Sequence, residues 1–139
     1  LALLEAQLGR ERCVRVALRP DGFASVSDGT PRPTPLRPFV VAGVARPERL
    51  LADVRGAAAA PVGQALFRDH HAFTVEECRA AAERARAAGA DALVITAKDA
   101  VRWPAVELPL PVLVLRQKLE LLDGERLRQR LLSVAGRAA

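Results

Sequence analysis

The chain has 139 residues, half of them hydrophobic, and a formal net charge of +5. This length suits a single domain, and the apolar fraction excludes a largely disordered chain. The positive charge comes almost entirely from scattered arginines, and aromatic residues make up only 4% of the chain, so nucleic-acid binding by base stacking is not indicated. No apolar run approaches the roughly 20 residues needed to span a bilayer.

Residues 1–35 are predicted to be the tail of a preceding lobe, because they open in mid-helix and lead into a proline-rich linker. We therefore interpret the chain as the C-terminal fragment of a longer enzyme. The local patterns predict, in order, a helix over 1–8 closed by Gly9, a strand over 13–19, a turn at 20–22, a returning strand over 23–26 and a linker over 28–38.

Residues 36–139 are predicted to form an α/β lobe, because buried strands alternate with amphipathic helices. The predicted strands are 39–44, 61–67, 91–96 and 111–115, and the helices follow Pro47, Thr74, Thr96 and Asp123. This order indicates a Rossmann-like three-layer lobe with a mostly parallel sheet. Ligands then meet the loops at the carboxyl ends of the strands, here 43–47, 67–74 and 96–99.

The first candidate site is Asp69-His70, directly after a predicted strand. A histidine can move a proton near neutral pH, and a neighbouring carboxylate can orient it. An equally good interpretation is a polar loop whose imidazoles cap the next helix or face water. The pair His70-His71 is a poor metal site, because neighbouring side chains diverge and no third ligand is evident. No metal site is predicted.

Two further loops carry residues suited to binding a phosphate or another anion. Lys98, in Thr96-Ala97-Lys98-Asp99, follows a strand and opens a helix. Its alternative is a solvated lysine beside a capping Thr96 or Asp99. Gly43 would allow a close backbone approach and Arg46 would bind an anion, although a tight turn explains both equally well. No nucleotide-binding glycine loop occurs in the sequence.

Together these loops resemble one family. The stretches Val41–Arg49, Phe67–Thr74 and Thr96–Val101 look like the C-terminal region of the tetraacyldisaccharide 4'-kinase family, the kinases of lipid A biosynthesis. The resemblance runs from about Leu36 to the end of the chain, and more loosely back to Cys13. Three motifs in the right order and at the right spacing make it specific.

The resemblance implies a two-lobed P-loop kinase, of which this chain is the C-terminal lobe. Such a kinase transfers the γ-phosphate of ATP, with Mg²⁺, to the 4'-hydroxyl of a tetraacyl glucosamine disaccharide 1-phosphate. It acts peripherally at the cytoplasmic face of the bacterial inner membrane, without nucleic acid. The N-terminal lobe binds most of the ATP and Mg²⁺, so the fragment alone is expected to be inactive.

The resemblance also implies roles for individual residues. Asp69 and His70 match the catalytic motif, in which the histidine works beside an aspartate of the other lobe and tunes the base that deprotonates the sugar. His71 falls at a position that varies in the family. The residues implied in substrate or phosphate binding are Thr96, Lys98, Asp99, Gly43 and Arg46.

One departure leaves alternatives open. Ala97 stands where the family has glutamate, which favours a degenerate kinase as one hypothesis. Another is a stand-alone Rossmann-like module that binds an anion or a membrane without catalysis.

Overall fold

A computed structural model describes residues 2–9 and 12–135 of the chain. Within these ranges, the chain begins with one helix and two strands, and from the third strand onward strands and helices alternate. The elements are α1 (Ala2–Leu8), β1 (Val16–Ser25), β2 (Pro31–Arg32), β3 (Pro38–Ala42), α2 (Pro47–Ala57), β4 (Gly63–Leu66), α3 (Val75–Ala87), β5 (Ala92–Thr96), α4 (Ala97–Ala100), β6 (Val112–Leu121) and α5 (Gly124–Ala135).

The strands form one six-stranded sheet in the order β2-β1-β6-β5-β3-β4. β5 pairs in parallel with both β3 and β6, and β3 pairs in parallel with β4. The short β2 is antiparallel to its neighbour β1. The predicted mostly parallel α/β sheet is therefore confirmed.

Two apolar clusters cover the two faces of this sheet. On one face, Phe39 and Val41 of β3 pack with the buried side of α3, including Cys78 and Ala82. On the other face, the alternate strand residues pack with α2, through side chains such as Leu50. Because successive side chains of a strand point to opposite faces, β3 contributes to both clusters. Helices on both faces make the three layers that the sequence predicted.

The helix predictions hold because their signals are local. Thr74 caps α3 in a capping box with Glu77, as predicted. Pro47 begins α2, and Gly9 follows α1 with a φ of +80°. Cys78 is buried in α3, and this burial raises the pKa of its thiol to about 11, so the thiol is protonated at neutral pH.

The predicted turn at Pro20-Asp21-Gly22 is wrong, because β1 runs through it as one ten-residue strand. Gly22 takes a φ of +83°, so the Pro-Gly signal marks an irregularity inside a strand. The chain reverses after Ser25, where the Asp28 carboxylate accepts from the backbone N–H of Thr30 at 3.0 Å. The predicted linker correspondingly contains β2.

The last predicted strand is also longer than expected. β6 continues to Leu121, although its apolar run ends at Leu115. The residues of β6 from Arg116 onward are exposed. The sequence there has no continuous apolar run that would have predicted a buried strand.

The chain forms two compact units, one of residues 1–19 with 118–139 and one of residues 20–117. The second unit contains β3, β4 and β5 with α2, α3 and α4. The first contains α1 and α5. The lobe boundary expected between residues 35 and 36 stays a prediction.

In the first unit, Asp123 directly precedes α5, as predicted, and its carboxylate binds two arginines. It accepts from Arg15 Nη2 at 2.7 Å and from Arg126 Nη2 at 3.1 Å. The backbone N–H of Arg15 adds a hydrogen bond at 3.0 Å. The hydrogen bonds from Arg15 hold the pKa of Asp123 well below its usual 3.8.

This lowered pKa predicts an acid-dependent stability. Above its unfolded pKa near 3.8, Asp123 stabilises the folded chain, and that stabilisation is lost as the pH falls toward its lower folded pKa. We expect the melting temperature of the wild-type chain to drop more steeply below about pH 4 than that of Asp123→Asn. Circular dichroism melts at several pH values measure this. Glu120→Gln, which removes an exposed carboxylate of the same unit, is the control. Equal slopes for Asp123→Asn and wild type would contradict the assignment.

Candidate functional site

Three loops meet at the backbone of Gly43. Its N–H donates to Oδ1 of Asp99 at 3.3 Å. Its carbonyl oxygen accepts from the backbone N–H of His70 at 3.1 Å and from Nη2 of Arg102 at 3.3 Å. The three motifs, which follow the neighbouring strands β3, β4 and β5, therefore form one connected cluster at the carboxyl edge of the sheet.

The position of Gly43 leaves little space for a side chain. A Cβ atom there would lie 3.0 Å from Cβ of His71 and 3.3 Å from Cζ of Phe73. The close approach predicted for this glycine is made by side chains of the 67–74 loop. An alanine at this position would therefore require the 67–74 loop to shift by a few tenths of an ångström.

The second loop presents His70 to the outside. The His70 side chain is 87% exposed, and its Nε2 lies 3.6 Å from Oδ2 of Asp69. Its backbone has a φ of +59°, the one positive φ recorded for a non-glycine residue in the described ranges. The backbone N–H also donates to Oδ1 of Asp69 at 3.0 Å. This uncommon conformation is held by hydrogen bonds, which is typical of functional loops.

The third loop contains a fully buried carboxylate. Asp99 has 0% exposure, and its Oδ2 accepts from Oγ1 of Thr96 at 2.8 Å. Its Oδ1 forms an ion pair with Arg102 at 2.9 Å. Thr96 also caps α4 by accepting from the backbone N–H of Asp99 at 3.0 Å, which was the capping alternative. Their predicted contact with a phosphate group stays a prediction.

Two cations lie at this edge with their side chains exposed. Arg46 precedes α2, after β3, and Lys98 lies in α4, after β5. Within residues 2–9 and 12–135, no hydrogen bond or ion pair occupies either side chain. Both are therefore available to an anion. Ala97 is exposed as well, and the Asp99 cluster is complete without a side chain at that position.

Two contacts of the site were missed from the sequence. Arg102 follows Asp99 by three residues, a spacing that brings side chains together on a helical turn and could have revealed the ion pair. For His71, the sequence indicated a cap on the next helix or contact with water, without naming a partner. His71 contacts Glu77, with Nε2 and Oε2 2.8 Å apart, and a local sequence pattern gives no signal for that contact.

The described residues offer no grouped set of side chains for a metal ion such as Mg²⁺. In the part of the chain that the structure covers, no three His, Cys, Asp or Glu side chains are grouped to hold a metal. The buried Asp99 carboxylate is already neutralised by Arg102. Within residues 2–9 and 12–135, no helix has the length and apolar character needed to cross a bilayer.

Comparison with known proteins gives a consistent result. The family model described as tetraacyldisaccharide-1-P 4'-kinase matches residues 3–136. The tetraacyldisaccharide 4'-kinase of Methylobacterium radiotolerans is 40% identical over 72% of this chain and 30% of its own length. The enzyme of the same name from Methylobacterium sp. strain 4-46 is 36% identical over 90% of this chain and 36% of its own.

A third relative with that name, from Rhodospirillum centenum, is 46% identical over 50% of this chain and 20% of its own length. The chain thus spans about a third or less of the curated relatives compared here. No solved structure matches it.

Proposed function

Because the chain belongs to the tetraacyldisaccharide-1-P 4'-kinase family, we propose that it supplies half of the active site of a lipid A kinase. The reaction is transfer of the γ-phosphate of ATP to the 4'-hydroxyl of a tetraacyl glucosamine disaccharide 1-phosphate. The observation that carries the proposal is the meeting of three motif loops at Gly43, with the His70 side chain left exposed beside them. The enzyme works as a peripheral protein at the cytoplasmic face of the inner membrane, and nucleic acid has no part in it.

His70 is proposed to act on a proton. In the transfer, the 4'-oxygen forms a bond to the γ-phosphorus, the bond to the leaving ADP breaks, and the hydroxyl proton passes to a base. An imidazole that lies beside a carboxylate base can orient that carboxylate and adjust the proton affinity of the carboxylate. His70 is suited to this because its ring is exposed at the loop tip, with Asp69 next to it. Asp69 and His70 are therefore the proposed catalytic residues.

Arg46 and Lys98 are proposed to bind anionic groups of the reactants. Both side chains are exposed and unoccupied within the described residues. Phosphoryl transfer depends mainly on positioning and on neutralising phosphate charge. We assign Thr96, Asp99 and Gly43 to the same binding region, where the hydrogen bonds of Asp99 hold Gly43 in place.

We assign ATP and Mg²⁺ binding mainly to a lobe outside these residues, because the described residues group no three metal-ligating side chains and the sequence has no nucleotide-binding glycine loop. The acylated disaccharide is the proposed partner of the exposed loop tip. The complete kinase, meaning a full-length family member that carries residues 1–139, is then required for catalysis.

Labelled phosphate transfer tests this proposal. The complete kinase should move ³²P from the γ-position of ATP to the tetraacyldisaccharide 1-phosphate, and the 139-residue chain alone should not, because it lacks the parts that position the triphosphate. Transfer by the chain alone would refute this division of the site. If the complete kinase transfers nothing and the chain binds anionic vesicles only at low salt, the binding-module hypothesis replaces ours.

A further inference from the structure

We propose that His71 and Glu77 form a positioning pair that holds His70 in its exposed, left-handed conformation. This inference rests on the proposed function for its effect on catalysis. Its structural part concerns the chain alone. His71 is thereby a positioning residue that acts through His70 and does not itself contact the substrate.

The His71 ring is held on three sides. It stacks on Phe67 with the ring centroids 4.6 Å apart and the planes inclined by 20°. The edge of Phe73 lies at 5.2 Å, with an interplanar angle of 83°. Its Nε2 contacts Glu77 at 2.8 Å, and the side chain is only 18% exposed. A ring fixed in this way has one orientation.

His71 is the anchor of an otherwise exposed loop. Within residues 68–72, all of which the structure describes, only His71 is not exposed. Its Cβ lies 3.0 Å from the position that a Cβ atom of residue 43 would occupy. The carbonyl oxygen of Gly43 accepts a hydrogen bond from the backbone N–H of His70. Holding His71 therefore fixes the backbone on the C-terminal side of His70, while Gly43 fixes the His70 amide itself.

Glu77 connects this anchor to a rigid helix. Its Oε2 accepts from the backbone N–H of Thr74 at 2.9 Å and also contacts His71. The hydrogen bonds from Thr74 and His71 lower the pKa of Glu77, so the carboxylate is ionised at neutral pH and its hydrogen bonds are strengthened by charge. The same carboxylate thus joins the helix cap to the ring, and the loop is tied to the packed α3.

The first test is spectroscopic and uses the 139-residue chain. The HN–Hα coupling and the Cα and Cβ chemical shifts of His70 report its positive φ. We expect His71→Ala to move these values toward those of an averaged loop, and His71→Phe, which keeps a ring, to move them less. Glu83→Gln is the matched control, because Glu83 lies on the same helix in an exposed ion pair with Arg86. Unchanged His70 signals in His71→Ala would overturn the proposal.

The second test uses the complete kinase. His71→Ala should lower kcat by about 10- to 100-fold, with the KM for ATP unchanged within about twofold, since a displacement of about 1 Å near the reacting atoms can cost that much. Glu77→Gln should lower kcat less, because its amide oxygen still accepts a hydrogen bond. An effect on KM for ATP or on melting temperature alone would contradict positioning. Absence of transfer in the wild type would instead refute the proposed function, leaving the spectroscopic result standing.

If His71→Ala does not fold, His71→Phe and Glu77→Gln decide the question by the same readouts. In that case, wild-type His70 signals and wild-type kcat in both variants would overturn the proposal.

Discussion

Replacing His70 with alanine is expected to lower kcat of the complete kinase by about 10²- to 10⁴-fold, the usual contribution of a group assisting proton transfer. The imidazole is exposed, so its removal leaves no cavity and exposes no core. The loss should therefore appear in turnover and not in folding. Labelled phosphate transfer at saturating ATP and acceptor measures it.

A matched pair of variants, His70→Ala and His70→Gly, separates the effect of losing the imidazole from the effect of backbone strain in this loop. His70 has a φ of +59°, which alanine adopts at a cost of about 1 kcal/mol and glycine adopts freely. His70→Gly should therefore be the more stable variant, while both should lose the same activity. A decrease of less than tenfold in both would assign His70 a structural role. Activity retained in the glycine variant alone would assign the loss in alanine to strain.

Replacing Asp99 with alanine is expected to destabilise the chain by about 3–5 kcal/mol, because removing one partner of a buried ion pair leaves the other charge uncompensated. The carboxylate is fully buried, and it also accepts from Thr96 and from the backbone of Gly43. Those donors would lose their partners as well. Urea unfolding of the 139-residue chain measures the free-energy change.

Two variants control the Asp99 experiment. Asp99→Asn keeps the shape and one acceptor oxygen, so it should be less destabilising than alanine. Glu83→Gln removes an exposed carboxylate whose ion pair with Arg86 is solvated, and it should change stability by less than about 0.5 kcal/mol. If Asp99→Ala changes the free energy of unfolding as little as Glu83→Gln does, the buried hydrogen bonds of Asp99 do not stabilise the contact between the loops.

The sequence predicts most of the elements around the site because their signals are local. The Thr74–Glu77 capping box, the apolar stripe of α3 and the buried runs of β3 and β5 depend on residues within a few positions of each other. The alternation of strands and helices then places all three candidate loops on one edge of a parallel sheet. Local patterning is therefore sufficient for the position of the site.

The internal contacts of the site are not local. The hydrogen bond from Gly43 to Asp99 joins residues 56 positions apart, and no spacing rule predicts it. The same holds for Cβ of His71, which lies beside the position that a Cβ atom of residue 43 would occupy. The Pro20-Asp21-Gly22 pattern correctly indicates an irregular backbone, but it was interpreted as a turn. The strand β1 continues through these residues. In each case tertiary packing selected among alternatives that the sequence left open.

The most direct test of the central claim is the position of the phosphate added by the complete kinase. In ³¹P–¹H correlation spectra of the product, the new phosphate should be connected to the proton at C4' of the disaccharide. The amount of this product should fall in His70→Ala in proportion to the loss of kcat. A phosphate on another oxygen would contradict the proposed 4'-kinase reaction. Equal amounts of product with and without the His70 imidazole would contradict the proposed catalytic role of His70.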